Sequence, residues 1–134
     1  MRPGELLLGK FRVEERIGAG GMGVVYGGRH VELAQPIAIK FLLAHDAARD
    51  VRRFLREARA VAMLDSPHVA RVLDAGVTVA QFGAVVPFIV LERLHGCDLE
   101  TLLKRRGRLP VAEAIDYVLQ ACRGAAEAHG AGIV

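Results

Sequence analysis

The chain has 134 residues, 52% of them apolar, enough to bury a core as one small domain or to form half of a larger one. Its formal charge of +3 comes from Lys and Arg scattered along the sequence, with no basic run or interleaved aromatics, which argues against a nucleic-acid partner. Cys97, Cys122 and five histidines show no metal-ligand spacing, and the most apolar stretch, residues 77–91, is broken by Gln81, Gly83 and Pro87 and is too short to span a bilayer.

Met1-Arg2-Pro3-Gly4-Glu5 carries an acid and is followed by only three leucines, so no signal peptide is expected, and the two thiols fit a reducing, cytoplasmic compartment. Residues 1–10 read as a lead-in. A first strand is predicted over 11–17, where apolar and polar residues alternate, and a glycine-rich turn leads into a second over 24–31. Gly27-Gly28 should loosen that second strand modestly. Pro36 marks the turn into a third strand over 37–42, whose alternation puts Ala38 and Lys40 on one face and Ile37 and Ile39 on the other. Three sequential antiparallel strands make a meander.

From 47 to 64 the period becomes helical, with Phe54, Ala58, Val61 and Leu64 on one stripe. Glu57 falls on or beside that stripe, where an unpaired carboxylate would be costly. Arg53, four residues before it, is one partner the spacing offers. Pro67 disfavours helix at Ser66, and a fourth strand over 69–77 and a fifth over 87–91 follow. A short helix over 99–106 closes at Gly107. Pro110 is expected at the first position of an amphipathic helix carrying Val111, Ala114, Ile115, Val118, Leu119 and Cys122 at helical spacing. Gly124 inside it should cost about 1 kcal/mol relative to alanine. Cys97 and Cys122 read as small packing residues.

The densest chemistry lies in Gly18-x-Gly20-x-x-Gly23-x-Val25, where four glycines in six positions leave a turn without Cβ atoms between two apolar runs. Peptide N–H groups in such a turn can approach a polyphosphate closely. Val24-Val25-Tyr26 and Ile37-Ala38-Ile39-Lys40 follow, not the helix and acidic residue of a dinucleotide-binding loop, and Gly23 is followed by Val24, not by the Lys-Ser/Thr that closes a P-loop.

The loop, Lys40 in Ile-Ala-Ile-Lys 22 residues after Gly18, and Glu57 17 residues after Lys40 together resemble the signature set of the eukaryotic-type (Hanks-type) protein kinases. The overall look is similar to the bacterial serine/threonine kinases. The resemblance runs from about Phe11 to the last residue. It implies an α+β fold: a kinase N-terminal lobe over 11–93, with a five-stranded antiparallel sheet and the regulatory αC helix, a hinge over 94–97, and the first helices of the C-terminal lobe over 98–134.

By the same resemblance, Ile17, Gly18, Ala19, Gly20, Gly21, Met22, Gly23 and Val25 cover the phosphates of ATP. Lys40 holds the α- and β-phosphates and Glu57 fixes Lys40. Small Ala38 leaves room for the flat base. Leu91 is the gatekeeper, the backbone of Glu92 and Leu94 hydrogen-bonds the adenine, and Asp98 reaches the ribose. Magnesium is implied, with ligands outside this chain, and the phosphoryl acceptor is a protein Ser/Thr. Residues 128–134 look like the run into the H-R-D catalytic loop, so the catalytic aspartate and the D-F-G aspartate lie beyond the sequence. The 134 residues alone are expected to bind nucleotide without transferring phosphate, and helix 110–130 to expose an apolar face open to self-association. A non-catalytic nucleotide-binding or partner-binding module is the rival expectation.

Overall fold

The computed structural model describes residues 3–20, 23–42, 51–79 and 83–133. Strands β1 (Leu6–Leu7), β2 (Phe11–Gly20), β3 (Gly23–His30), β4 (Gln35–Leu42), β5 (Val72–Val79) and β6 (Val85–Glu92) form one antiparallel sheet in the order β1-β2-β3-β4-β6-β5. Helix α1 (Val51–Ala62) joins β4 to β5, and α2 (Leu99–Arg106) and α3 (Val111–Gly130) follow the sheet. Of the helix expected over 47–64, the first four residues lie outside the described ones.

The meander of β2, β3 and β4 forms as the alternation predicts. The sheet nevertheless has six strands where five are expected. The added strand falls inside the lead-in and is too short for a period-two pattern to reveal. It forms because Lys10 N–H donates to the Leu7 carbonyl at 3.0 Å across a two-residue turn with Leu8 and Gly9 at φ 49° and 71°, folding Leu7 back against Phe11. Both side chains are then buried.

The core lies on one face of the sheet and comprises Leu7, Phe11, Val13, Ile37, Ile39, Phe41, Phe88 and Val90, with Tyr26 packed edge-on to Phe41 at 5.6 Å between ring centroids. Gly28 opens to this side. A Cβ there would strike the Arg12 carbonyl and sit 3.1 Å from Ile39 Cδ1. Gly28 therefore tightens the β2–β3 contact where a loosened strand is expected from composition.

Pro87 is buried inside β6 without breaking the sheet. Its position explains this: β4 pairs with β6 only as far as Phe41 opposite Phe88, so Pro87 has a ladder neighbour on the β5 side alone, at Val77. Helix α1 packs chiefly on β5 through Ala58, its one buried residue. In α3, Pro110 takes the N-cap position and not the first helical one, with φ −54°, ψ 142° and its carbonyl accepting from Ala114 N–H at 3.0 Å. Val111, Ile115, Val118 and Leu119 of α3 are more than half exposed.

Candidate nucleotide-binding site

Directly paired residues in an antiparallel sheet project to the same face. Lys40 pairs with Val25 on one side and Ile89 on the other, and two residues along Ala38 pairs with Gly27 and Leu91. These two rows lie on the face opposite the aromatic core. Lys40, the strand after the glycine loop and Leu91 thus share one surface, and alternation along β4 is what separates Lys40 from Ile39 and Phe41. Ile89 and Gly27 belong to this surface too. The sequence signal for Ile89 is the i, i+2 alternation back from Leu91.

The glycine loop is the distal end of the β2–β3 hairpin. Gly18 pairs with Val25, Ala19 with Val24 and Gly20 with Gly23, while Gly21 and Met22 lie outside the described residues. Its glycines differ in what they do. Gly23 has φ 146°, and a Cβ there would collide with the Phe41 carbonyl, so the β3–β4 contact itself requires glycine. At Gly18 a Cβ would only touch Val25 Cβ at 3.9 Å, and at Gly20 it would meet nothing within 4 Å. Ile17, at the register shift between Arg16 and Gly18, is 41% exposed.

A protein kinase domain matches residues 11–134 of the chain. The chain belongs to the protein kinase family. It is 35% identical over 135 residues to the serine/threonine-protein kinase PknA of Mycobacterium tuberculosis, covering 99% of this chain and 31% of that protein. It is 37% identical over 134 residues to the serine/threonine-protein kinase pkn3 of Myxococcus xanthus, covering 98% of this chain and 24% of that one. The crystal structure of the M. tuberculosis PknI kinase domain superposes with a TM-score of 0.82 at 29% identity, over 98% of this chain and 52% of that one. The chain thus spans a quarter to a third of these curated relatives and about half of the solved kinase domain, corresponding to the N-terminal region of bacterial Hanks-type serine/threonine kinases.

In this kinase lobe Lys40 and Glu57 are not paired. Glu57 Oε1 accepts from Arg53 Nε at 2.7 Å, and its side chain is 59% exposed, not on the buried stripe, because Ala58 is the residue that turns toward β5. Lys40 makes no ion pair with any described residue. Glu57 borders a cavity of about 610 Å³ between α1 and the sheet, lined also by Phe54 and Val61 of α1, by Leu42 and Ile89 from the strand face that carries Lys40, and by Gly132 and Ile133. The Arg53–Glu57 pair is an exposed i, i+4 contact worth about 0.3–0.5 kcal/mol, so it is a weak restraint on where Glu57 points.

The segment after β6 connects the sheet to α2 and α3. Glu92 is tied to the chain before β5: its N–H donates to the Arg71 carbonyl at 3.0 Å, and its carboxylate accepts from Arg71 N–H at 2.8 Å. The Glu92 N–H is therefore already engaged within the protein. Leu94 is 65% exposed, and its main chain makes no hydrogen bond to any described residue. Asp98 caps α2 by accepting from Thr101 N–H at 2.6 Å. That backbone bond, with Lys104 and Arg105 nearby, holds its carboxyl below the usual range. Among the described residues no three His, Cys, Asp or Glu side chains gather into a metal-holding group, and no helix is long and apolar enough to cross a membrane. Protein kinases use ATP with Mg²⁺; none of the described side chains is assigned to the metal.

Proposed function

We propose that this chain is the ATP-binding part of a serine/threonine protein kinase that transfers the γ-phosphoryl of ATP to protein Ser/Thr. The observation that carries the reading is the shared face on which Lys40 stands between Val25 and Ile89, beside Ala38 and at the root of the glycine hairpin. Gly18 and Gly20 leave the phosphates room to approach backbone N–H groups, and Lys40, free of any described anion, supplies the cation for the α- and β-phosphates. The base would lie over Ala38 and Leu91, bonding the Glu92 carbonyl and the Leu94 main chain, with Asp98 toward the ribose. Glu57 would fix Lys40 once it leaves Arg53 and α1 closes over the cavity.

Catalysis in this family is positioning plus charge stabilisation, so the aspartates of the H-R-D and D-F-G segments are needed for transfer. Lys40→Met is the test. It should weaken ATP binding about 10- to 100-fold, the worth of a charge-assisted hydrogen bond of about 1.5–3 kcal/mol, and abolish phosphorylation by a product containing those segments. The thermal midpoint should not move, since Lys40 has no ion pair with a described residue to lose. Unchanged ATP affinity in the variant would sink the reading.

The second reading, a non-catalytic nucleotide- or partner-binding module, draws support from Glu57 turned to Arg53 and from the exposed apolar residues of α3, through which helix 110–130 would self-associate. A product that holds the downstream catalytic segments and binds ATP yet transfers no phosphate would favour it.

A further inference from the structure

Arg93 follows Leu91 by two residues and so leaves β6 on the same face as Lys40, Ala38 and Leu91. Its side chain does not run out into water. The guanidinium crosses β4 and settles over Gly27 of β3, where a Cβ would collide with Nη1 and lie 3.3 Å from Cζ. Nη2 stands 3.5 Å from Glu15 Oε1 on β2, and Glu15 Cγ is 3.5 Å from the same Cβ position. The Arg93 side chain is 26% exposed whereas Glu15 is 74% exposed, so the arginine is the seated partner and the glutamate the outer one. Such a pair adds little stability by itself. What is unusual is the bare glycine beneath it, directly opposite Ala38.

The geometry points to Arg93 as a specificity-determining residue for the base and ribose end of the nucleotide. Any side chain at position 27 would project onto the base-receiving face beside Ala38. With glycine there, the volume is taken by a planar cation that carries only N–H donors and an aromatic-stacking face. The site then has a positively charged wall in the same row as Ala38, over its pairing partner Gly27, formed by a side chain that leaves the chain just after β6 and is steadied from β2. A flat, electron-rich ring with acceptor atoms at its edge is the ligand chemistry that fits it. This inference rests on the ATP-binding reading and adds a residue that acts on the nucleoside part, away from the phosphates that Lys40 would hold.

The experiment titrates ATP and adenosine separately into the full chain and into Arg93→Ala, Gly27→Ala and the double variant. Adenosine lacks phosphates, so a long-range charge effect of Arg93 would spare it. Arg93→Ala is expected to weaken both ligands by the same factor, about three- to tenfold. Gly27→Ala, which evicts the guanidinium, is expected to do likewise, and the double variant to bind no worse than Arg93→Ala, because the two substitutions remove one interaction. Should Gly27→Ala fail to fold, the Arg93→Ala pair of titrations decides alone. Unchanged affinity for both ligands, or loss confined to ATP, overturns the Arg93 role and leaves the ATP-binding reading standing. A wild-type chain that binds neither ATP nor adenosine overturns both.

Discussion

At the scale of single residues, the glycine loop separates into a position the fold demands and positions it leaves open. Gly23 combines φ 146° with a Cβ site blocked by the Phe41 carbonyl, so Gly23→Ala must distort the β3–β4 pairing. A loss of about 2 kcal/mol is expected, the usual cost of a non-glycine residue forced into that backbone region, read as a lower denaturation midpoint. Gly20→Ala meets nothing and should stay within about 0.5 kcal/mol of the parent. A large stability loss at Gly20, or none at Gly23, would show that the hairpin is held differently. The motif treats these glycines alike; only the neighbouring strand distinguishes them, because the obstacle at Gly23 belongs to a residue 18 positions away in the sequence. The same holds for Glu57. Its spacing is compatible with Lys40 or Arg53 as partner, and the structure engages the local one, an interaction that the helix alone can form.

At the scale of elements, helix periodicity was legible and glycine placement was not. Gly124 is expected from propensity to weaken α3, yet it is the helix's one buried residue, and a Cβ there would lie 2.8 Å from the His68 carbonyl and 3.3 Å from Val69 Cγ2. Glycine at this point lets α3 lie against the chain that leads into β5. Gly124→Ala gains about 1 kcal/mol of intrinsic propensity but forces overpacking that costs about 1–3 kcal/mol. A net fall of about 1 kcal/mol in stability is expected by chemical denaturation, and a rise in the midpoint would mean that α3 is not seated there. The strands followed their alternation well because one face of the sheet is buried, which makes period two visible. β1 escaped detection because two residues have no period, and β6 begins two residues before the expected start because Pro87 looks like a boundary in sequence, while β5 starts three residues and ends two residues later than expected.

At the scale of the whole molecule, the two helices after the sheet are joined to each other by a short polar cluster. α2 and α3 are clamped by Arg106, which donates to both oxygens of Glu113 at 2.6 and 2.9 Å, with Tyr117 Oη donating to the same carboxylate at 3.2 Å. The hydrogen bonds from Arg106 hold the Glu113 carboxyl below its ordinary range, as the Thr101 N–H does for Asp98. Both acids are depressed in the folded state, so their contribution is present at neutral pH and is lost as pH falls through the carboxylate range and below it. Burial, and then the bond to Glu113, push the Tyr117 hydroxyl up, which adds a second loss only at strongly alkaline pH. Amide exchange in α2 and the first turns of α3 should therefore rise on acidification while the β2–β3–β4 meander stays protected, since its core holds no buried charged side chain among the described residues. Uniform exposure of sheet and helices across the same pH range would contradict this division.

The sequence by itself determined the family, the order of the elements, the face on which Lys40 stands and the amphipathic character of α3, because loop spacing, strand alternation and helical period are local properties of a chain. Tertiary structure alone decided which side of α1 turns inward, which glycines are obligatory, that the first residues add a strand, and that Arg93 lies over Gly27. Each of these depends on atoms brought together from distant positions, and a collision or a cavity between such atoms has no counterpart in residue order.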